Sequence, residues 1–377
     1  MARVLGMIGG GQLGMMIAEA AKTMPEHISE VVVLDPTAKC PASQVGARQI
    51  VADFKDKDAI MQLARECDIV TYEIESGDAD VLESVSNMAE INPLPETLRV
   101  IQDKLLQKTF LSEHGLPVPE FAGVDTLADI KKSLQNFGLP AMLKARRDAY
   151  DGRGNFAIES EPQAAEAFEY FNGRPLLIER HVQFKMEVSV IAARNTAGQI
   201  ATYPLVENIH EKNILRQTIA PARVSDGVTK KAQRIAEETM EIFKGAGVFG
   251  IEMFVTKDDG ILINEIAPRV HNSGHHTLQS SSTSQFEQHL RAILGLELGS
   301  TKLVHNAVMY NILGPDEFEG RYLPPDIHGS DVYLKMYGKE ISKPARKLGH
   351  LNIVGNRSAD LLQRLDGLLD DVAVHPA

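Results

Sequence analysis

The run Asn264-Glu265-Ile266-Ala267-Pro268-Arg269-Val270-His271-Asn272-Ser273-Gly274-His275 gathers a carboxylate, a guanidinium, two imidazoles and two amides within twelve residues. It follows the apolar Ile261-Leu262-Ile263, so it reads as a site built where a strand ends. Residues 249–255 and 260–265 read as an antiparallel hairpin turning through Lys257-Asp258-Asp259-Gly260, which brings Glu252 to the same end of the sheet as Asn264 and Glu265. Two carboxylates and an amide oxygen suit Mg²⁺, a hard cation that takes oxygen ligands and bridges to nucleotide phosphates. A carboxylate inside the otherwise apolar stretch 250–255 needs a cationic partner to be tolerated there. Zinc fits less well, because no cysteine joins the histidines.

A second group is Lys144-Ala145-Arg146-Arg147-Asp148-Ala149-Tyr150-Asp151-Gly152-Arg153-Gly154-Asn155. A lysine at a strand end followed by a glycine-containing loop supplies a positive charge and close backbone N–H groups, which is what phosphate binding needs. A solvated basic turn is the alternative, and the density of Lys, Arg, Tyr and Asp favours function. Glu179 ends an apolar strand and could hold a ribose or a purine amino group, whereas Glu187 alternates with Val188 and Val190 and belongs to the opposite face. Gly9-Gly10-Gly11-Gln12-Leu13-Gly14, with Asp35 downstream, resembles a dinucleotide turn; the glycines equally allow a helix to pack closely on a strand. Glu73 and Glu75 face either a ligand crevice or solvent. Lys339, Arg346 and Lys347 either bind a phosphate or decorate a hairpin.

The elements that position these groups follow from periodicity. An apolar strand at 4–8, a helix from 15, a strand at 31–34, a helix at 58–66 and a strand at 69–74 make residues 1–97 a small doubly wound α/β domain. Pro93-Leu94-Pro95 marks a boundary, and 96–113 reads as one helix carrying Lys104 and Lys108. Residues 98–300 then form a second domain, with a small lobe over about 115–182. From 301 the composition resets to a small β-rich domain ending at 377, in which 315–325 reads as a polar loop.

At 377 residues the chain needs two or three cores, so ligands are expected between domains. With 44% hydrophobic and 24% charged residues and no long apolar run, it has the composition of a soluble globular protein, and a membrane partner is not expected. Cys40 and Cys67 form neither a disulfide framework nor a zinc motif, which fits a cytoplasmic setting. A net charge of −12 with interleaved signs argues against nucleic acid.

Taken together, Gly9 to Gly14, Thr71-Tyr72-Glu73-Ile74-Glu75, Ile101-Gln102-Asp103-Lys104, the AYDGRG run at 149–154, the NEIAPRVHNSGH run at 264–275, Ser284-Gln285-Phe286-Glu287 and Tyr337-Gly338-Lys339 with 346–350 resemble the ATP-grasp superfamily. Within it the chain is most similar to the 5-(carboxyamino)imidazole ribonucleotide synthases of purine biosynthesis, over nearly its whole length and without the mutase domain that fungal relatives carry. The resemblance implies an ATP-grasp fold and an ATP-dependent carboxylation of 5-aminoimidazole ribonucleotide with bicarbonate, through carboxyphosphate. It assigns Lys104 and Lys144 to ATP phosphates, and Ala149, Tyr150, Asp151, Gly152, Arg153, Gly154 and Asn155 to a loop closing over them. Glu179, Arg180, His181 and Val182 would line the adenine pocket, Glu187 would bind the ribose, and His210 would lie at the nucleotide. Glu252 and Glu265, helped by Asn264, would hold Mg²⁺. Tyr150, Asp151 and Arg153 would meet the ribonucleotide, with Asp151 as general base. Glu73, Glu75 and Asn272 are further substrate contacts, Arg269 and His271 would stabilise bicarbonate-derived oxyanions, and Lys339 with Arg346 would grip the ribonucleotide phosphate. A homodimer is also implied. Rivals are another ATP-grasp carboxylate–amine ligase, a formyl-phosphate-using transformylase, an NAD-dependent dehydrogenase and a non-catalytic nucleotide-binding regulator.

Overall fold

Strands Arg3–Ile8 and Ile28–Leu34 end in continuous apolar runs, at 4–8 and 31–34, the pattern of parallel strands covered on both faces. In the computed structural model, which describes residues 1–148 and 154–377, they form the middle of a parallel sheet. Its order is Arg48–Ile50, Ile28–Leu34, Arg3–Ile8, Ile69–Tyr72, Glu90–Ile91. Helix Gln12–Ala21 packs with Met7 and Val33 on one face, and helix Lys57–Glu66 packs with Ile8 and Val32 on the other. The doubly wound expectation holds, and the glycine turn opens at the carboxyl end of the first strand.

A four-stranded antiparallel sheet, Phe121–Val124, Leu176–Arg180, Ala141–Ala145 and Asn155–Ile158, makes the small lobe. The largest sheet among the described residues has nine strands, running from Ile261–Ala267 through Gly247–Thr256, Phe184–Arg194, Val206–Glu211, Ile214–Ala220, Asn306–Leu313 and Lys347–Gly355 to Val332–Met336, with Ile200–Thr202 on one side. Strands after residue 301 therefore continue the same sheet, through the pairing of Gln217 with Tyr310 and its neighbours. Helix Asp226–Ile242 covers this sheet, burying Ala232, Ile235, Ala236 and Met240 at helical spacing against Val190, Phe249 and Ile251.

Two expectations are corrected. The single helix over 96–113 is two, Pro95–Ile101 and Lys104–Glu113. The break falls at Asp103, whose extended backbone (φ −116°, ψ 110°) lets its carboxylate accept from the N–H groups of Leu105 and Leu106. An N-cap aspartate satisfies donors that a through-going helix would have bonded to its preceding turn. The polar loop at 315–325 contains the short strand Gly320–Leu323, paired with Ile341–Ser342 and His375–Pro376. The partner strands lie too far along the chain for local periodicity to show the pairing. Among the described residues no helix is long and apolar enough to cross a membrane.

Candidate active site

The hairpin Gly247–Thr256/Ile261–Ala267 supplies the first acidic pair. Its register runs Val255 to Ile261, Phe254 to Leu262 and Met253 to Ile263, and then jumps so that Glu252 faces Glu265. Asn264 is the extra residue of a bulge. Adjacent strand residues normally point to opposite faces, and a bulge re-aims one of them. Asn264 and Glu265 here both line one cavity with Glu252. Like charges directly opposite are unfavourable without a cation. Lys104, in the first turn of its helix, provides one by donating to Glu265. Burial pushes Glu252 well up from the ordinary carboxylate range, reinforced by the Glu265 charge. Burial would raise Glu265 as well, but the Lys104 ammonium outweighs it and holds that carboxyl below the ordinary range. The buried Asn264 Oδ1 has no hydrogen-bond partner. These oxygens fit a hard divalent ion with open positions left for phosphate and water. Among the described residues no group of three His, Cys, Asp or Glu is assembled for a metal, so the amide oxygen is needed to complete the protein's share.

Beside this pair, Glu179 is buried between two lysines, with Lys144 Nζ at 2.8 Å and Lys108 Nζ at 3.2 Å. Burial pushes the carboxyl up, yet Lys108 and Lys144 together bring it down to about 2. Lys108 donates to the Ile263 carbonyl at 3.3 Å, and its own burial lowers it to about 8. Asp103 joins this layer to the segment that follows Ala145. Its carboxylate takes Arg146 in a bidentate pair (2.9 and 2.7 Å), and Lys104 N–H donates to the Arg146 carbonyl at 2.9 Å. Across the cavity Glu187 lies 3.1 Å from His210; burial disfavours the imidazolium, but the carboxylate outweighs it and raises His210 above its ordinary value.

Toward the N-terminal sheet, Arg269 Nε stands 2.9 Å from Glu75, and His271 Nε2 stands 3.4 Å from Glu252. Burial, followed by the Arg269 charge, lowers His271 to about 3 and keeps the ring neutral. The glycine turn is occupied by the protein's own carboxylates. Gly10 N–H donates to Asp35 (2.9 Å) and Gly11 N–H to Glu73 (2.7 Å). A Cβ on Gly9, whose φ is +95°, would lie 2.7 Å from Glu73. Asp35, the acid a dinucleotide reading needs for a ribose, is thus spent on the turn, and Glu73 takes up the Gly11 N–H.

Burial pushes Glu73 up to about 7, against the Gly11 bond and Arg269, which lower it. The folded state therefore holds a proton that the unfolded chain releases from about pH 4.5. Stability from this group is present below that pH and is lost as pH rises through about 7, by roughly 3 kcal/mol in all. Glu73→Gln keeps an acceptor for Gly11 and removes this loss. Urea melts should show wild type weakening relative to the variant by that order between pH 4.5 and 8; parallel pH dependences would refute the assignment.

These groups meet in a cavity of about 1040 Å³ between the N-terminal sheet, the small lobe and the large sheet. Of the expected site residues, Glu73, Glu75, Lys104, Lys144, Asn155, Glu179, Arg180, His181, Val182, Glu187, His210, Arg269, His271 and Asn272 line it together with Glu252, Asn264 and Glu265. Ala149, Tyr150, Asp151, Gly152 and Arg153 lie outside the described residues, and Gly154 caps the loop's far end by accepting from Ala145 N–H. Lys339 stands behind the wall, donating to Gln12 (2.6 Å) and to the Lys347 carbonyl (2.7 Å), and both those residues line the cavity. Arg346 donates to the Ile341 carbonyl at 2.8 Å and is not among the lining residues.

Family models match along the chain: a ribonucleotide synthetase preATP-grasp domain at 1–102, an ATP-grasp domain at 109–286 and a phosphoribosylaminoimidazole carboxylase C-terminal domain at 307–364. The N5-carboxyaminoimidazole ribonucleotide synthase of Bacillus subtilis is 40% identical over 96% of this chain and 94% of its own. This chain belongs to that synthase family. The synthetase structure from Thermotoga maritima superposes with a TM-score of 0.89 at 39% identity, covering 100% of both chains. That from Aspergillus clavatus, in complex with ADP and 5-aminoimidazole ribonucleotide, gives 0.90 at 36%, covering 98% of each.

Several residues of this family member escaped sequence reasoning. Lys108 reads only as part of a helix, although its i, i+4 spacing from Lys104 places both on one face. Asp103 carried a signal too, since an aspartate before an apolar run marks a helix start. The apolar lining residues Met142, Phe184, Leu215 and Phe254 left none, because a base-binding wall and a core strand use the same residue types.

Proposed function

We infer that the protein is an ATP-dependent ligase of de novo purine biosynthesis, carboxylating 5-aminoimidazole ribonucleotide to 5-carboxyaminoimidazole ribonucleotide through carboxyphosphate. The observation that carries this reading is one cavity joining an acidic pair edged by Lys104 and Lys144 to Arg269 and His271. Phosphoryl transfer needs positive charge around the moving group, and carboxylation needs donors for an oxyanion; both are present within one enclosure.

Bicarbonate is a poor electrophile, so one of its oxygens attacks the γ-phosphorus of ATP, the bond to ADP breaks, and carboxyphosphate forms. Lys104 and Lys144 neutralise the phosphates during this in-line transfer. Glu252, Glu265 and the Asn264 amide oxygen hold Mg²⁺, which when bound spreads the phosphate charge and orients the chain of phosphates. Glu179 to Val182 border the base, and Glu187 with His210 borders the ribose. Carboxyphosphate then breaks its C–O bond to give CO₂ and inorganic phosphate, with Arg269 and His271 facing the carboxylate oxygens. The exocyclic amine of the ribonucleotide attacks the carbon of CO₂, and the proton it loses passes to Asp151. Tyr150, Arg153, Glu73, Glu75 and Asn272 contact the ribonucleotide, whose phosphate is drawn toward Lys339 and Arg346. A cytoplasmic homodimer belongs to the same proposal, and light scattering tests the assembly.

The deciding assay is phosphate release from ATP with bicarbonate, with and without 5-aminoimidazole ribonucleotide. Release that depends on both substrates is expected, and release indifferent to the ribonucleotide would overturn the reading. Asp151→Asn should leave ATP affinity within about two-fold while carboxylated product falls by 10² or more, the size of a lost general base. Near-normal product formation would remove Asp151 from that role.

A further inference from the structure

A chain of hydrogen bonds runs from the middle of the large sheet to His271 through side chains that are all buried. Thr218 Oγ1 donates to Asn208 Oδ1 (3.1 Å), and Asn208 Nδ2 donates to Ser189 Oγ (2.9 Å). Ser189 Oγ donates to Ser273 Oγ at 2.7 Å, and Ser273 Oγ stands 2.9 Å from His271 Nδ1. Thr218, Ser189 and Ser273 are 0% exposed, so none of these hydroxyls is open to bulk water.

The direction of the chain is settled from both ends. At the sheet end the Asn208 amide donates to Ser189, whose single proton must then go to Ser273. At the other end, the Ser273 backbone N–H also approaches His271 Nδ1 (3.4 Å), where the imidazole caps the short helix Asn272–Gly274. A nitrogen that faces a backbone N–H cannot carry a proton of its own. Ser273 therefore donates to Nδ1 as well, and the ring proton sits on Nε2, the nitrogen on the cavity side near Glu252.

The ring is held in place independently of this chain. Gln285, fully buried, accepts from His271 N–H (2.9 Å) and donates to the His271 carbonyl (2.7 Å), closing both main-chain groups. The imidazole lies over Gly250, where any Cβ would come within 2.5 Å of His271 Cβ. Backbone, ring plane and tautomer are thus each set by a different contact.

We propose that Thr218, Asn208, Ser189 and Ser273 are positioning residues that fix His271 in its Nε2–H form, so that it serves carboxylation as a hydrogen-bond donor to an oxyanion and never as a proton acceptor. The proposal rests on the reading that His271 faces the bicarbonate-derived group. It separates the labour of the site: the proton leaving the amine must go elsewhere, while His271 offers a fixed donor whose proton cannot migrate to Nδ1.

The test is long-range proton–nitrogen correlation on protein labelled in its histidine rings, with His271 assigned by comparison with His271→Gln, alongside steady-state phosphate release. Wild type should show a protonated Nε2 and a bare Nδ1. Ser273→Ala should mix the two forms and lower kcat by roughly ten-fold, with KM for ATP changed less than about two-fold. Ser189→Ala, one link further away, should act in the same direction and more weakly. His271→Gln, which can still present an N–H, should retain about ten-fold more activity than His271→Leu. A protonated Nδ1 in wild type, a Ser273→Ala enzyme unchanged in tautomer and turnover, or a Gln variant no better than Leu would each overturn it. Wild-type protein that shows the Nε2–H form but releases no bicarbonate-dependent phosphate would fail the functional reading instead.

Discussion

Glu265→Gln is expected to lower phosphate release by 10² to 10³ and to raise the Mg²⁺ concentration for half-maximal rate by more than about ten-fold. Glutamine keeps the size and one oxygen but loses the charge that binds a hard cation and pairs with Lys104. Glu265 is the carboxylate held ionised by Lys104, whereas burial and its neighbour drive Glu252 toward the protonated form. Of the two, Glu265 is thus the anion standing ready before metal arrives, and Glu252→Gln should have the smaller effect on metal requirement. A magnesium titration of phosphate release decides the matter. An unchanged midpoint in Glu265→Gln would remove that residue from the metal site.

The second large effect is expected at Lys108, which touches neither of the acids proposed for the metal. Glu179 is almost wholly buried, and its charge is tolerable only because two ammonium groups flank it. Removing one partner of a buried pair is costly because the remaining charge cannot return to water. Lys108→Met should therefore destabilise the protein by about 3 kcal/mol, tempered by the Lys144 that remains. In a domain of this size that corresponds to a fall in melting temperature of roughly 6–12 °C. KM for ATP should rise as well, since Glu179 would be pulled toward Lys144. The double variant Lys108→Met/Glu179→Gln should be more stable than the sum of the single variants predicts, because it leaves no orphaned charge. Thermal melts of the four proteins check this. Additive losses would show that Lys108 does not hold Glu179.

How much of this was legible in the chain differs from residue to residue. The hairpin of Glu252 and Glu265 was legible, because a four-residue turn at 257–260 ties the two strands into one register. Lys104 and Lys108 were legible as neighbours on a helix, although the break at Asp103 was hidden by a window in which both helices have the same period. The doubly wound N-terminal sheet followed from buried apolar runs. The strand Gly320–Leu323 did not, since its pairing partners come from distant segments.

The Asn264 bulge shows the boundary well. Sequence predicted that Asn264 and Glu265 share a site with Glu252, yet strict alternation would send them to opposite faces. The register jump between Glu252 and Met253 resolves the conflict, and Gln107 stabilises it by accepting from Ile266 N–H at 3.0 Å and donating to the Ile266 carbonyl at 3.2 Å. Nothing local in the residues around 264 encodes that helix-borne amide.

By itself, then, the sequence determined which chemical groups are available and how those within a few residues of one another are spaced: the acids on the hairpin, the lysines on one helix face, the polar run from Asn264 to His275. These follow from fixed backbone periods and short turns. Only the tertiary structure decided which of these charges meet. Glu73 closes on Gly11 across 62 residues and Lys104 on Glu265 across 161, and the same is true of Glu179 between Lys108 and Lys144 and of the hydroxyl chain to His271. Such contacts depend on how three sheets pack around one cavity, and burial in that packing sets the charge each group carries.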